Sequence, residues 1–239
     1  MKRLIFDEDH DMFRDATRRF MQAEYEPRVE QWRANGICDK EAFLKAGEQG
    51  LLGMWVPEEY GGMGIEDFRF EQIVIEETLR HGDLGLFLTL HSRLVGPYIG
   101  RLGSEALKQR LLPKIVSGEC ILGIAMTEPG AGSDLAGIKT RAVRDGDDWL
   151  ISGSKTYISN GINGGAFVVA ARTDPQNRHG VGLFVVEEGM EGFQRGRNLA
   201  KMGLKTQDTA ELFFENVRVP AENVLGDPEK GFYSLMHFL

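Results

Sequence analysis

The period of the apolar residues changes close to position 120, and this change determines which folds the chain can adopt. Before it, apolar residues recur every three or four positions, as at Phe13, Ala16 and Phe20, which is the spacing of an amphipathic helix. After Cys120, short apolar runs are separated by Gly, Asp, Asn and Pro, which is typical of antiparallel strands. The sequence therefore predicts an α+β protein, with an N-terminal all-α domain followed by a small antiparallel β-barrel or sandwich.

Capping and breaking residues refine the helical half. Asp39 is expected to cap a helix that continues through Ala46, because a side-chain oxygen at this position accepts from free backbone N–H groups. Ser104 is expected to cap a later helix that continues through Ile115 in the same way. Pro113 falls inside that helix and is expected to kink or divide it.

The second half contains a clear hairpin signal. Residues 138–143 and 149–151 flank Asp145-Gly146, and Asp-Gly readily adopts the positive backbone angles of a tight turn. Further strands are expected at residues 167–171, 181–186 and 211–214.

These patterns divide the chain into three parts. Residues 1–121 are predicted to form the helical domain and residues 122–225 the β domain. Residues 226–239 are predicted to begin a C-terminal helix, because apolar residues from Phe232 to Leu239 follow helical spacing. So short a helix needs a packing partner, and the sequence is expected to be truncated within a further helical domain.

Composition excludes several classes of function. The net charge of −8 and the pI near 5.3 argue against broad binding to nucleic acid or to an anionic membrane. The two cysteines, Cys38 and Cys120, lack metal-ligand spacing and predict reduced thiols and no metal site. No apolar run approaches the roughly 18 residues of a spanning helix, and no targeting segment is visible. We expect a cytoplasmic protein without a membrane span.

The first informative motif covers residues 126–134, Met-Thr-Glu-Pro-Gly-Ala-Gly-Ser-Asp. Gly130 and Gly132 allow a close turn, so that main-chain amides can face a ligand. The hydroxyls of Thr127 and Ser133 can donate to a ring or a phosphate, and Met126 adds an apolar contact. Alone, such a segment is more often an ordinary loop.

The second motif covers residues 155–161, Lys-Thr-Tyr-Ile-Ser-Asn-Gly. Tyr157 offers a broad face for stacking, and Ser159 can reach a polar edge. Alone, this segment also reads as an ordinary strand. Together, the two motifs on a β scaffold predict a site for the face and polar edge of a planar cofactor, as in a flavoprotein.

These motifs make the chain resemble the acyl-CoA dehydrogenase family, especially its long-chain members. The resemblance covers essentially all 239 residues and also rests on residues 56–62, 201–214 and 231–233. It implies FAD, a helical N-terminal domain, a middle β domain and a C-terminal helical bundle for which this chain has no residues. Full-length relatives are implied to be homo-oligomers, usually tetramers.

The resemblance also implies site residues. Thr127 would lie at the polar edge of the flavin and Ser159 near its reactive N5, while Tyr157 stands where relatives commonly have tryptophan. The flavin-binding residues are expected to be Ile124, Met126, Thr127, Gly132, Ser133, Tyr157, Ile158 and Ser159. The acyl-CoA contacts are expected to be Ser133, Val181, Gly182 and Tyr233. Packing of the strand and helix would explain the last three equally well.

The implied reaction is α,β-dehydrogenation of a fatty acyl-CoA to a trans-2-enoyl-CoA in β-oxidation, with electrons passed to an electron-transfer flavoprotein. A carboxylate must take the α-proton. In long-chain members it is a glutamate just after the equivalent of Leu239, so we assign no catalytic residue and expect this chain to be inactive alone. We also expect it to bind FAD weakly.

Other readings stay open at this point. Glu128 and Asp134 are more simply explained by turn hydrogen bonds than as bases, and His91 by a structural role. The chain could instead be a noncatalytic flavin- or acyl-CoA-binding module, or a structural subunit that needs a helical partner. An acyl-CoA oxidase or flavin monooxygenase of the same architecture is a weaker option.

Overall fold

A computed structural model describes residues 4–80 and 83–238. The helices of the first half are α1 Glu8–Phe20, α2 Val29–Asn35, α3 Lys40–Glu48, α4 Phe68–Leu79, α5 Gly96–Leu102 and α6 Glu105–Ser117. Two π-helical turns, Met21–Tyr25 and Leu90–Val95, follow α1 and precede α5. The predicted change of class is confirmed, because α6 ends at Ser117 and the first strand begins at Leu122.

Two of the local helix predictions need correction. Ser104 caps α6 as predicted, since its Oγ accepts from the N–H of Leu107 at 3.1 Å. Asp39 precedes α3, but its carboxylate accepts from the indole N–H of Trp32 at 2.8 Å and makes no capping bond. Pro113 does not divide α6, which is continuous around it. Pro113 lies on the exposed side of this helix, so its ring displaces no core side chain.

The second half forms one mixed sheet. Its strands are β1 Leu122–Ala125, β2 Arg141–Asp145, β3 Asp148–Ser159, β4 Ala166–Arg172, β5 Val181–Glu187, β6 Phe193–Arg195 and β7 Thr209–Val219. They pair in the order β1-β4-β2-β3-β7-β6, and β5 pairs with β4. The predicted hairpin is confirmed, with Asp145 opposite Asp148 and Gly146 at φ +65°. The pairings of β4 with β1 and β2 are parallel, which the sequence pattern did not reveal.

A bulge interrupts the pairing of β3 with β7. Lys155 pairs with Leu212 and Ile158 with Ala210, so Thr156 and Tyr157 have no partner in β7. The backbone of Tyr157 takes φ +57° there, a left-handed conformation that is strained for a residue with a Cβ. The bulge turns the Tyr157 side chain out of the sheet and leaves it 72% exposed.

The helical and β parts share a hydrophobic core, and His91 bonds to both. The His91 ring is fully buried. Its Nε2–H donates to the carbonyl of Ile115 at 2.9 Å, and its Nδ1 accepts from the N–H of Leu122 at 3.0 Å. Burial lowers the pKa of this imidazole to about 4. The structural role expected for His91 is confirmed: it joins the end of α6 to the start of β1 as a neutral ring.

Acid should therefore weaken this junction before the carboxylates titrate. The unfolded chain binds a proton at His91 near its ordinary pKa of about 6.5, and the folded chain only near 4. Between these values the unfolded state holds more protons, so stability falls as the pH falls. From pH 7 to pH 5 we expect His91 to cost about 2 kcal/mol of unfolding free energy. Urea denaturation at both pH values should show a flatter dependence in His91→Gln, and an unchanged slope would contradict this account.

The C-terminal helix is present as predicted and packs on the rest of the molecule. Helix α7 covers Gly231–Phe238, and Leu239 lies outside the described residues. Leu235 is buried, and its carbonyl accepts from the Tyr98 hydroxyl at 3.3 Å. The packing partners that so short a helix requires are therefore β5, where a Cβ on Gly231 would lie 2.6 Å from the carbonyl of Val181, and α5, through Tyr98. Within residues 4–80 and 83–238, no helix is long and apolar enough to cross a bilayer.

Candidate functional site

An open cleft of about 160 Å³ lies where β1, the loop after it and the bulged end of β3 meet. Six of the residues predicted to contact a flavin line this cleft, together with one residue from the helical domain. The lining residues are Leu90, Ile124, Met126, Thr127, Tyr157, Ile158 and Ser159. The structure thus brings the two sequence motifs to one site.

The loop after β1 closes as a tight turn. The N–H of Glu128 donates to the carbonyl of Ala131 at 2.8 Å, and the N–H of Ala131 donates back at 3.1 Å. Neither Gly130 nor Gly132 has a left-handed backbone, and a Cβ on either would meet no other atom within 4 Å. These glycines therefore leave open space beside the turn, and the turn itself does not require them.

Thr127 joins the loop to the bulged strand. Its carbonyl accepts from the N–H of Thr156 at 2.9 Å, and its hydroxyl donates to the carbonyl of Thr156 at 2.5 Å. These bonds hold β3 where its pairing with β7 is broken. Because the hydroxyl proton is used within the protein, Thr127 Oγ1 can accept from a ligand but does not donate to one while this bond holds. The predicted donation from Thr127 is corrected in this respect.

The remaining cleft groups suit a flat ring with a polar edge. The exposed ring of Tyr157 offers its face, and the apolar side chains of Ile124 and Ile158 line the cleft. The hydroxyl of Ser159 makes no hydrogen bond to any residue in the described part of the chain, so it is free to donate. One free donor, one acceptor and an aromatic face fit an isoalloxazine.

A buried ion pair lies behind the cleft. Lys155 Nζ donates to Glu128 Oε1 at 2.8 Å and to the carbonyl of Met126 at 2.9 Å. Burial lowers the pKa of Lys155 to about 8, against the opposing pull of Glu128. Burial alone would raise the pKa of Glu128, but Lys155 and backbone donors hold it below its ordinary value. Glu128 is therefore an ionised and saturated carboxylate, which agrees with the expectation that it is not a base.

The other predicted residues lie outside the cleft lining. Gly132 and Ser133, which were predicted to contact the flavin, are not among the lining residues. The next residue, the exposed Asp134, forms a salt bridge with Arg178 at 3.1 Å. Arg172 donates to the carbonyls of Ala136 at 2.7 Å and Asn177 at 2.9 Å. These contacts join the loop that contains Ser133 to the loop that leads into β5.

The remaining acyl-CoA residues lie near the start of β5. Val181 is fully buried, and a Cβ on Gly182 would lie 2.8 Å from the carbonyl of Pro228. Tyr233 is 61% exposed, and its ring centre lies 6.0 Å from that of His179. Packing accounts for the first two positions, and the assignment of all three as acyl-CoA contacts stays a prediction.

Two residues of the site were missed in the sequence. Leu90 comes from a π-helical turn in the helical domain, and no local pattern marks it. Lys155 is visible as a charge inside a strand, but its partner Glu128 is 27 residues away. The available signal for Lys155 was a charged residue within a strand, between residues that are expected to be buried.

Comparison with known proteins identifies the class. Residues 7–119 match the family model described as acyl-CoA dehydrogenase, N-terminal domain, and residues 123–217 match acyl-CoA dehydrogenase, middle domain. The chain belongs to the acyl-CoA dehydrogenase family, whose members are flavin-dependent oxidoreductases. The resemblance noted in the sequence is thereby confirmed.

Individual relatives agree with this class. The long-chain specific acyl-CoA dehydrogenase of Sus scrofa is 48% identical over 240 residues, which cover 99% of this chain and 56% of the relative. An acyl-CoA dehydrogenase structure from Geobacillus kaustophilus matches with a TM-score of 0.96 and 48% identity, over 99% of this chain and 63% of that one. A glutaryl-CoA dehydrogenase from Mycobacterium smegmatis in complex with FADH2 matches with a TM-score of 0.88 and 30% identity, over 98% and 59%. The chain thus spans little more than half the length of these relatives.

Proposed function

We propose that this chain forms the flavin- and thioester-binding part of a long-chain acyl-CoA dehydrogenase, which converts a fatty acyl-CoA to a trans-2-enoyl-CoA in β-oxidation. The observation that carries the proposal is the cleft on which Thr127, Tyr157 and Ser159 converge. The FADH2-bound relative of the same fold supports FAD as the cofactor. The identity to the Sus scrofa protein supports a long-chain substrate.

The cleft residues would bind and orient the reactants. FAD, when bound, supplies the acceptor for the β-hydrogen as hydride. Tyr157 would hold one face of the ring, and the Ser159 hydroxyl would donate to its polar edge. Leu90 and Ile124 would exclude water from the site. The same proposal includes the electron acceptor that the resemblance implies, an electron-transfer flavoprotein.

The base must come from elsewhere. Removal of an α-proton needs a carboxylate within reach of the substrate. Among the described residues, no carboxylate lines the cleft, and Glu128 is held by Lys155 and by backbone N–H groups. We infer that the base is supplied from outside the described residues, as the resemblance to long-chain members implies.

Turnover of palmitoyl-CoA with a dye acceptor tests this inference. We expect the 239-residue chain, supplied with FAD, to turn over at least about 100-fold more slowly than the long-chain specific acyl-CoA dehydrogenase of Sus scrofa, since a positioned base contributes roughly 100-fold or more. Comparable turnover by the two proteins would show that a residue of this chain acts as base.

The lack of a carboxylate among the described residues that line the cleft also favours a second candidate. A noncatalytic module would bind flavin and acyl-CoA without transferring electrons between them. An anaerobic experiment distinguishes the candidates. The FAD-loaded chain is mixed with a separate helical segment that carries the glutamate expected after Leu239, and palmitoyl-CoA is then added. Bleaching of the flavin then supports the enzyme, and binding without bleaching supports the module.

A further inference from the structure

The ion pair behind the cleft connects both of its walls. The side chain of Lys155 is 0% exposed and that of Glu128 only 6%. Lys155 lies on β3, two residues before Tyr157, and Glu128 immediately follows Thr127. The same ammonium also bonds the carbonyl of Met126. The buried ammonium of Lys155 thus contacts the loop wall at two points, the carboxylate of Glu128 and the backbone carbonyl of Met126.

The carboxylate is fixed from its other side as well. Glu128 Oε2 accepts from the N–H of Lys139 at 2.6 Å, and Oε1 accepts from the N–H of Thr140 at 2.9 Å. These donors lie just before β2, so the pair joins three segments of the chain. Charge-assisted bonds of this kind are short and strong. Removal of either charge would leave the other buried without its partner.

The pair lies where ordinary sheet pairing fails. At the bulge, Thr156 and Tyr157 have no partner in β7, and Thr127 makes the bonds on the other side of the strand. Tyr157 also has a strained backbone and little packing around its ring. The spacing between the Thr127 loop and the Tyr157 ring therefore depends on bonds between the loop and β3. Among these bonds, the ion pair joins two buried side chains.

The rest of the sheet does not need this pair. Strands β4 and β5 pair continuously from Ala166 to Arg172, and the pairing of β3 with β7 resumes at Ile158. We propose that Glu128 and Lys155 are positioning residues for the flavin site, which hold the hydroxyl-bearing loop against the Tyr157 bulge at the spacing an isoalloxazine requires. This inference rests on the proposed function, because it takes the cleft to be the flavin site.

Hydrogen exchange of the natural chain and of Lys155→Met tests the inference without any ligand. Met keeps the apolar stem and removes the charge. We expect backbone amides in residues 126–134 and 155–160 to exchange at least tenfold faster in the variant, while residues 166–187 keep their protection. Unchanged exchange in the cleft segments, or equal loss of protection throughout the chain, would overturn the proposal.

A matched control separates positioning from general stability. Glu77 is another buried carboxylate held by cations, but it lies on α4 outside the cleft lining. Glu77→Gln should lower stability without a selective effect on the cleft segments. In FAD titrations, Lys155→Met should bind at least tenfold more weakly than the natural chain, and Glu77→Gln equally well. Equal weakening in both variants would assign the pair a purely structural role.

Glu128→Gln provides a milder second variant, because its amide oxygen can still accept from backbone N–H groups. If both cleft variants fail to fold, the pair serves the whole fold and the proposal is wrong. If the natural chain binds no FAD at all, the proposed function fails, while the exchange experiment still decides whether the pair holds the loop to the bulge.

Discussion

Replacement of Glu77 with Gln should lower the free energy of unfolding by about 2 kcal/mol, because it removes a buried carboxylate that accepts from three guanidinium groups, and hydrogen bonds to charged groups contribute about 1.5–3 kcal/mol. Glu77 is fully buried on α4. It accepts from Arg14 at 3.0 Å and from Arg18 at 2.9 Å, both on α1, and from Arg80 at 3.0 Å. The carboxylate therefore joins α1 to α4 and satisfies several guanidinium groups at once. Urea denaturation at pH 7 measures the loss.

Glu76→Gln is the matched control for this change. Glu76 neighbours Glu77 on the same helix and bonds Arg14 at 2.7 Å, but its side chain is 25% exposed. Partly exposed pairs contribute only about 0–1 kcal/mol, so this variant should lose less than 1 kcal/mol. Equal losses in the two variants would contradict the importance given to burial.

Acid should remove the advantage conferred by Glu77. Burial raises the pKa of this carboxyl, but Arg18 and Arg14 outweigh burial and hold the pKa below its ordinary value. The stabilisation is therefore fully present above the ordinary pKa of about 4.3 and is lost as the pH falls through the lowered value. The difference between the natural chain and Glu77→Gln should accordingly narrow below pH 4.

Replacement of Tyr157 with Gly should move stability and FAD affinity in opposite directions. The left-handed backbone of Tyr157 destabilises the folded state by about 1–2 kcal/mol, because the residue has a Cβ. Its exposed ring makes few packing contacts that could offset this strain. Glycine removes this strain but adds entropy to the unfolded chain, so we expect a net gain of up to about 1 kcal/mol. Loss of the stacking face should weaken FAD binding about 30-fold, which corresponds to about 2 kcal/mol.

Leu204→Gly provides the control for this prediction. Leu204 also has a left-handed backbone, with φ +44°, and lies outside the cleft lining. Its replacement should bring a similar gain in stability and leave FAD affinity unchanged. Calorimetry and FAD titration on both variants give the comparison. A loss of stability in Tyr157→Gly, or equal affinity changes in both, would show that the strain does not serve the cleft.

Much of the fold could be predicted, because local chemistry decides it. The period of the apolar residues predicted the helical and β halves, and Ser104 and the Asp145-Gly146 turn were predicted from their own short-range bonds. The failures concern distant partners. Asp39 bonds Trp32 and makes no capping bond, and β4 pairs in parallel with β1 across a long stretch of chain. Neither partner is encoded in the local pattern.

The site shows the same division. Two motifs with complementary groups predicted that Thr127, Tyr157 and Ser159 would converge, and the cleft brings them together. The sequence did not reveal the positive φ of Tyr157, since a bulge depends on the register of β3 against β7. The sequence also did not predict that the Thr127 hydroxyl donates its proton to the carbonyl of Thr156. These features arise from tertiary pairing.

The most direct test of the account is where FAD binds. Titration of the isotope-labelled chain with FAD, followed by amide NMR, should shift the signals of Met126, Thr127 and residues 157–159 together and saturate with a single affinity. Shifts confined to other parts of the chain, with these amides unmoved at saturating FAD, would show that this cleft is not the flavin site.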